Sequence, residues 1–390
     1  MNILFVGYAS PHVRRPLRAL LEAGHRVCMG TLRGDPMGGA SHRGYTCVPL
    51  PDGLQHTKEF ILKMHSIKKA FKPDILHVHY ADFRVWQCSL LDVAPMVVSV
   101  WGSDMNLLVE LDEQGRPTPT AFYDPCVEEG MRKAAACIVD DPAMQQKVDF
   151  VTGGTIPVTL APLGADSLFF VDDAQGRAAL RQRLNLPEGI PLFVSPRAFS
   201  DFYGHDVIVE GFAALAKRRD ALLLLKTFIP SGWTPTIDKQ SQAVNTGEDD
   251  AQGQYLRTVQ KIATRAGVWN KVRFCGSLSL EDLRNLYGIA NALINMPARD
   301  GFPVTFAEAA ACGAEVVTRW HPAYAVPLVE KFFRVLPEHE PSVLARALHE
   351  VLDQPATPEK RQAMREEARI HWSHDSYCRE LLRVYSEALV

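Results

Sequence analysis

The feature that most constrains this 390-residue chain is an alternation of short aliphatic runs with helix-period stretches, arranged in two successive sets. In the first set, runs at 2–7, 25–29, 47–49, 74–79, 95–100, 136–139 and 159–161 read as strands, with helical or irregular segments between them. In the second, runs at 191–195, 221–226, 272–275, 292–295 and 315–318 repeat the pattern. Strands buried on both faces and separated by helices imply parallel sheets covered on each side. The opening is a βαβ unit: Gly7 ends a strand, a helix-period stretch runs from 13 to 23, and Gly24 stops it. Between the sets stands Ala161-Pro-Leu-Gly-Ala-Asp166, where Pro and Gly limit helix and ladder alike, as an interdomain hinge requires. The expectation is an α/β protein of two Rossmann-like, doubly wound domains, 1–163 and 167–370, facing each other across a cleft. Residues 371–390, with apolar positions at helical spacing from 373, are expected to form a helix crossing back to the first domain. Residues 233–253 are polar without a clean period and read as a long loop or a mobile flap beside the second sheet.

Composition narrows the function. With 47% hydrophobic and 22% charged residues the chain is a folded one, not a disordered one. Lys and Arg number 42 against 45 Asp and Glu, so there is no strong field to hold a polyanion, and nucleic acid is not an expected partner. The eight cysteines include no C-x-x-C pair and read as reduced, mostly buried thiols. Met1 leads straight into a strand without a signal-peptide pattern, and no apolar run approaches the ~18 residues of a spanning helix. The expectation is a cytoplasmic protein. His77 and His79 share one face of a strand, but no third or fourth ligand is spaced to complete a metal site, so no metal is expected. Gly7-Tyr8-Ala9 lacks G-x-G-x-x-G, which argues against a dinucleotide and a dehydrogenase.

The most informative segment is Asp300-Gly-Phe-Pro-Val-Thr-Phe-Ala-Glu308, which follows a strand and opens a helix. Unpaired N–H groups at such a junction form an anion site, so Gly301, Phe302, Pro303, Val304 and Thr305 are candidates to hold a diphosphate. Glu308, one turn in, is placed to accept hydrogen bonds from ribose hydroxyls. The alternative is that Asp300 caps the helix and Glu308 is a solvated first-turn acid.

Two acidic residues separated by seven, around Gly-Phe-Pro and running into Glu-Ala-x-Ala-Cys-Gly, resemble the E-x7-E motif of the family 4 glycosyltransferases of GT-B fold. Asp74-Ile-Leu-His-Val-His-Tyr80 and Val98-Ser-Val-Trp-Gly-Ser-Asp104 resemble two strand ends of that family's first domain. Ser195-Pro-Arg197 and Val272-Arg-Phe-Cys-Gly276 resemble two strand ends of its second. The resemblance covers residues 1 to about 320. It implies a retaining transfer of a sugar from a nucleotide diphosphate sugar, of UDP or GDP type, with no cofactor. The donor belongs to the second domain, and the acceptor, a glycan or a lipid-linked or other hydroxyl, to the first. It places Arg197 on the diphosphate and Gly276 beside the nucleotide, and has Asp300 contact sugar hydroxyls while the leaving phosphate deprotonates the acceptor. A positive charge growing at the anomeric carbon and a departing diphosphate call for fixed cations and backbone donors, which suits Arg197.

Three positions depart from the family pattern. Phe202 and Tyr203 stand where a Lys is usual, and Lys226, ending the next apolar strand, is the expected substitute, with His205 as the alternative. Asp300 stands for Glu, one methylene shorter. Trp101 replaces the His that often precedes Gly102, leaving that hydrogen bond to a backbone carbonyl or a different His. On the acceptor side Gly7, His12, Arg14, His79, Gly102 and Asp104 are candidates, with Asp104 orienting an acceptor hydroxyl or capping a helix. His12, Arg14, Arg15 and Arg18 form a basic cluster suited to an anionic acceptor, to peripheral contact with the inner membrane face, or to a solvated helix face. Two other classes fit the same architecture: a nucleotide-sugar 2-epimerase and a non-catalytic sugar-nucleotide-binding protein.

Overall fold

The computed structural model describes residues 1–39, 42–112, 114–227, 251–298 and 300–390. Of the expected loop at 233–253, residues 233–250 lie outside these, and 251–253 open the helix Ala251–Arg265. The chain divides into two compact units, Met1–Leu163 together with His374–Val390, and Gly164–Ser373.

In chain order the first unit carries β1 (Asn2–Gly7), β2 (Arg26–Thr31), β3 (Tyr45–Pro49), β4 (Ile75–His79), β5 (Met96–Ser99), β6 (Val109–Leu111), β7 (Pro117–Pro119), β8 (Ala136–Val139) and β9 (Val158–Leu160). The second carries β10 (Leu192–Ser195), β11 (Leu222–Lys226), β12 (Val272–Cys275), β13 (Ala292–Asn295), β14 (Val316–Arg319) and β15 (Arg334–Leu336). Seven strands form the first sheet in the order β3-β2-β1-β4-β5-β8-β9, with β6 and β7 as a separate antiparallel pair. Six form the second in the order β12-β11-β10-β13-β14-β15. Ladders in both main sheets are parallel: Ile3 sits between Val27 and Ile75, and Phe193 between Leu223 and Ala292. Strand order reverses between β1 and β4 and again between β10 and β13. At such switch points the connections leave in opposite directions and open a crevice at the carboxyl ends of the strands.

Alternation along each strand loads both faces of each sheet. In the first unit Leu4, Val6, Leu76, Val78 and Val98 fill one side. Ile3, Phe5, Val27, Ile75 and Val97 fill the other, where Tyr377, Leu381, Val384 and Tyr385 of the helix His374–Ala388 complete the core. The second unit has the same two-sided arrangement, with Val194, Leu224 and Leu293 on one face and Phe193, Leu223 and Ile294 on the other.

Close backbone contact fixes one helix pair. A Cβ added at Gly130, in the helix Pro125–Arg132, would lie 2.6 Å from the backbone nitrogen of Trp86 in the helix Phe83–Ser89. Backbone cannot rotate out of the way, so Gly130→Ala is expected to cost about 1–3 kcal/mol by overpacking, despite alanine's better helix propensity. An unchanged urea midpoint for this variant would contradict the contact.

Candidate functional site

In the second unit the site is built at the carboxyl ends of β10, β11 and β13. Two residues beyond β10, Arg197 Nη2 donates to Asp300 Oδ1 at 2.9 Å, and the Tyr324 hydroxyl donates to Asp300 Oδ2 at 2.7 Å. The two charged side chains are only 12% and 10% exposed, so the pair is buried and not the surface ion pair that a strand-end Arg often forms. The guanidinium lies over the Tyr203 ring, 4.3 Å from its centroid. Burial works against the charge on Arg197, but Asp300 and Tyr203 outweigh it and hold the group above its ordinary value. Burial pushes the Asp300 carboxyl up, opposed by Arg197, Tyr324 and the Gly301 N–H. Asn295, the last residue of β13, donates from Nδ2 to the Tyr324 hydroxyl at 2.9 Å and so orients it. Asp300 is therefore not a helix cap, and its two oxygens are committed to Arg197 and Tyr324. Arg197 and Asp300, given separate roles from the sequence, stand in one ion pair.

Lys226 ends β11 in register with Cys275 of β12, and Gly276 follows directly. Burial lowers the Lys226 ammonium; Glu308 and Cys275 raise it, and Arg197 lowers it, which places this cation in the field of both Glu308 and Arg197. His205 is the alternative cation. It is buried, with Nε2 3.4 Å from Ser195 Oγ and Nδ1 3.2 Å from the Ser200 carbonyl, and burial holds it neutral, down to about 4.

Glu308 lies in the helix Val304–Cys312, opened by Pro303, and no described side chain caps that helix. Val304 and Thr305 sit in its first turn, where backbone N–H groups point outward along the axis. Glu308 is buried, and the Tyr287 hydroxyl donates to its Oε2 at 3.4 Å, so it is not a solvated surface acid. The Phe302 ring is buried 5.0 Å from that of Trp372 and 5.9 Å from that of Phe306, so its side chain belongs to the core and only its backbone is left to face an anion.

In the first unit Gly7, His12, His79, Trp101 and Asp104 gather at the carboxyl ends of β1, β4 and β5. A Cβ at Gly7 would lie 3.1 Å from that of His79. His77 and His79 are fully buried and stacked, with ring centroids 4.4 Å apart. His77 Nδ1 is 2.5 Å from the Tyr385 hydroxyl and Nε2 is 2.8 Å from Ser99 Oγ; desolvation pushes it down to about 3. Trp101 Nε1 donates to His79 Nδ1 at 3.2 Å, and the His12 ring lies 5.1 Å from that of Trp101. Asp104 corrects an expectation. Its carboxylate accepts from the Ala81 N–H at 2.7 Å and the Trp101 N–H at 3.1 Å, so it braces two loops and is not aimed at an acceptor hydroxyl. Gly102 takes φ +96° between them, a value open to glycine. Arg14 is exposed on the helix Pro11–Glu22.

Sequence reasoning missed Tyr324, Asn295 and the stacking role of Tyr203. Asn295 gave the one usable signal, a polar residue closing an otherwise aliphatic strand. Among the described residues, no group of three His, Cys, Asp or Glu side chains converges to hold a metal ion, and no helix is long and apolar enough to cross a membrane.

Two doubly wound α/β units of this topology make the chain a protein of GT-B type, and the comparisons agree. Residues 176–371 match the family model described as glycosyl transferases group 1, and residues 2–140 match that described as glycosyl transferase 4-like. The chain belongs to the glycosyl transferases group 1 family. It is 28% identical over 231 residues to a D-inositol 3-phosphate glycosyltransferase of Streptomyces griseus, covering 58% of this chain and 46% of that one. To the protein of the same name from Salinispora arenicola it is 25% identical over 373 residues, covering 89% and 76%. The chain thus spans less than half the length of the first relative and about three quarters of the second. Among solved structures, Anabaena Alr3699/HepE in complex with UDP shares the fold with a TM-score of 0.74 at 14% identity, over 99% of this chain and 100% of that one.

Proposed function

We propose that this protein is a metal-independent, retaining glycosyltransferase that moves a sugar from a nucleoside diphosphate sugar, of UDP or GDP type, to a hydroxyl of a glycan or lipid-linked acceptor. The observation that carries the reading is the placement of Arg197 just beyond β10 and Lys226 at the end of β11, with Glu308 in the helix Val304–Cys312 that follows β13. Two cations and first-turn N–H groups supply the positive field that a departing diphosphate needs, a part a divalent ion plays elsewhere. Glu308, buried and oriented, accepts from ribose hydroxyls. As the glycosidic C–O bond to the diphosphate breaks, the acceptor oxygen bonds to the anomeric carbon on the same face and its proton passes to the leaving phosphate. The first unit carries the acceptor. A relative named for D-inositol 3-phosphate and a fold neighbour holding UDP support this donor and acceptor chemistry.

The test is calorimetry with UDP, GDP, ADP and CMP and their common sugars, with and without EDTA. One nucleotide is expected to bind selectively and without regard to EDTA. The product anomer, read by NMR, is expected to keep the donor's configuration. Glu308→Gln is expected to weaken that nucleotide about ten- to hundredfold, the scale of a hydrogen bond to a charged group. Dependence on a divalent metal, or undiminished affinity in this variant, would overturn the reading.

A further inference from the structure

The hydrogen bond between Trp101 and His79 decides which nitrogen of the imidazole carries the proton. Trp101 Nε1 has only a hydrogen to give, so His79 Nδ1 is the acceptor, and a neutral ring then carries its proton on Nε2. The two ring planes are within 9° of parallel, with centroids 5.8 Å apart. Burial and the neighbouring His77 and His12 hold His79 well below its ordinary value, so the neutral form is the resident one.

That Nε2–H is buried and has no hydrogen-bond partner among the described residues. His12 Nδ1 is also buried and without a described partner, on a ring that flanks the same Trp101 at 5.1 Å. Native proteins rarely leave buried polar groups unpaired, and each one that stays so calls for a partner such as a ligand, an ion or a water. Both nitrogens stand where β1, β4 and β5 end, beside the reversal of strand order, where α/β sheets bind their ligands.

We propose that Trp101 is a positioning residue that fixes His79 as an Nε2–H donor, and that this donor and His12 Nδ1 form a subsite for an uncharged polyol. With the His12 proton on Nε2 in this arrangement, a hydroxyl accepts from His79 and donates to the His12 Nδ1 lone pair, satisfying both nitrogens. A phosphate or carboxylate oxygen only accepts, and would face the His12 lone pair. The inference rests on the reading that the first unit carries the acceptor, and it names the acceptor's chemistry there: hydroxyl groups of a sugar-like ring, any charge lying elsewhere on the molecule.

The experiment is nitrogen-15 NMR of the histidine rings in the full chain, with myo-inositol and inorganic phosphate as probes. Wild-type His79 is expected to report the Nε2–H tautomer. Trp101→Phe, which keeps an aromatic ring but removes the N–H, is expected to mix the tautomers while His77 stays unchanged. Myo-inositol is expected to move the His79 Nε2 and His12 Nδ1 resonances, phosphate to leave them still, and Trp101→Phe to weaken the myo-inositol response about tenfold or more. His79→Gln, whose amide N–H takes the place of Nε2–H, is expected to retain binding better than His79→Ala. A proton on His79 Nδ1, a charged ring at pH 7.5, or resonances that respond to phosphate and not to myo-inositol would overturn the proposal. The tautomer is read without nucleotide, so a failure to bind UDP strikes the donor reading and leaves this measurement standing.

Discussion

Replacing Arg197 by methionine is expected to destabilise the second unit by about 3 kcal/mol near neutral pH, because it strands the Asp300 carboxylate in a buried site. Among the described residues Arg197 is the one full positive charge bonded to that group; Tyr324 and the Gly301 N–H supply only dipoles. The loss has a pH signature. Asp300 is already raised above its ordinary value by burial, and a raised acid holds its proton more tightly folded than unfolded. Stability is therefore lost as pH rises through the folded pKa. Without Arg197 that pKa moves further up, so the variant is expected to suffer more at pH 8 than at pH 5. Urea midpoints at the two values check this. Arg197→Met combined with Asp300→Asn is expected to recover most of the stability, since no charge is then buried, yet to bind UDP or GDP at least tenfold more weakly than the intact protein. Restored stability with undiminished nucleotide affinity would make the ion pair purely structural. Failure of the double variant to recover would mean that Asp300 is not what Arg197 neutralises.

The same pair shows what could be read in the chain before its structure. Strands such as β1, β10 and β13 were legible because aliphatic runs of four to six residues bounded by Gly or polar residues leave little choice between helix and strand. The segment from Asp300 to Glu308 was legible as a strand-to-helix junction, which exposes N–H groups whatever the side chains are. The partner of Asp300 was not legible. Choosing Arg197 and Tyr324 over solvent depends on residues 103 and 24 positions away, brought together only by the sheet order. Tyr203, noted only as the absence of a Lys, turns out to give Arg197 an aromatic face, a substitution of stacking for charge that no spacing rule contains. The pair β6 and β7 was missed for a local reason: Pro117-Thr-Pro119 argues against a strand, and proline is tolerated there because β7 has one neighbour only. β15 was missed because Arg334-Val-Leu336 is too short to show a period. The burial of the Phe302 ring against Trp372 was not legible, because the expectation there concerned its backbone N–H alone.

Acidification exposes a second consequence of burial, one present in both units. His77 in the first is held down to about 3 and His205 in the second to about 4, each by desolvation of a ring that is wholly enclosed. A base whose folded pKa lies below its unfolded value of about 6.5 takes up its proton on unfolding, so stability is full above pH 6.5 and falls as pH drops. At pH 5 each of these histidines is expected to remove about 2 kcal/mol from its own unit, 1.5 pH units at about 1.4 kcal/mol each. His79 and His12, both lowered by burial, add to the loss in the first unit. Urea titrations between pH 5 and 7.5 are expected to show midpoints falling with acid at a slope of about one proton or more per unit. His205→Gln, which keeps a polar group beside Ser195 and the Ser200 carbonyl, is expected to flatten that slope in the second unit by about one proton and leave the first unit's slope unchanged. A slope that stays the same in this variant would mean that His205 is already charged in the folded protein. It would then stand beside Arg197 as a second cation, and the assignment of that role to Lys226 would have to be reversed.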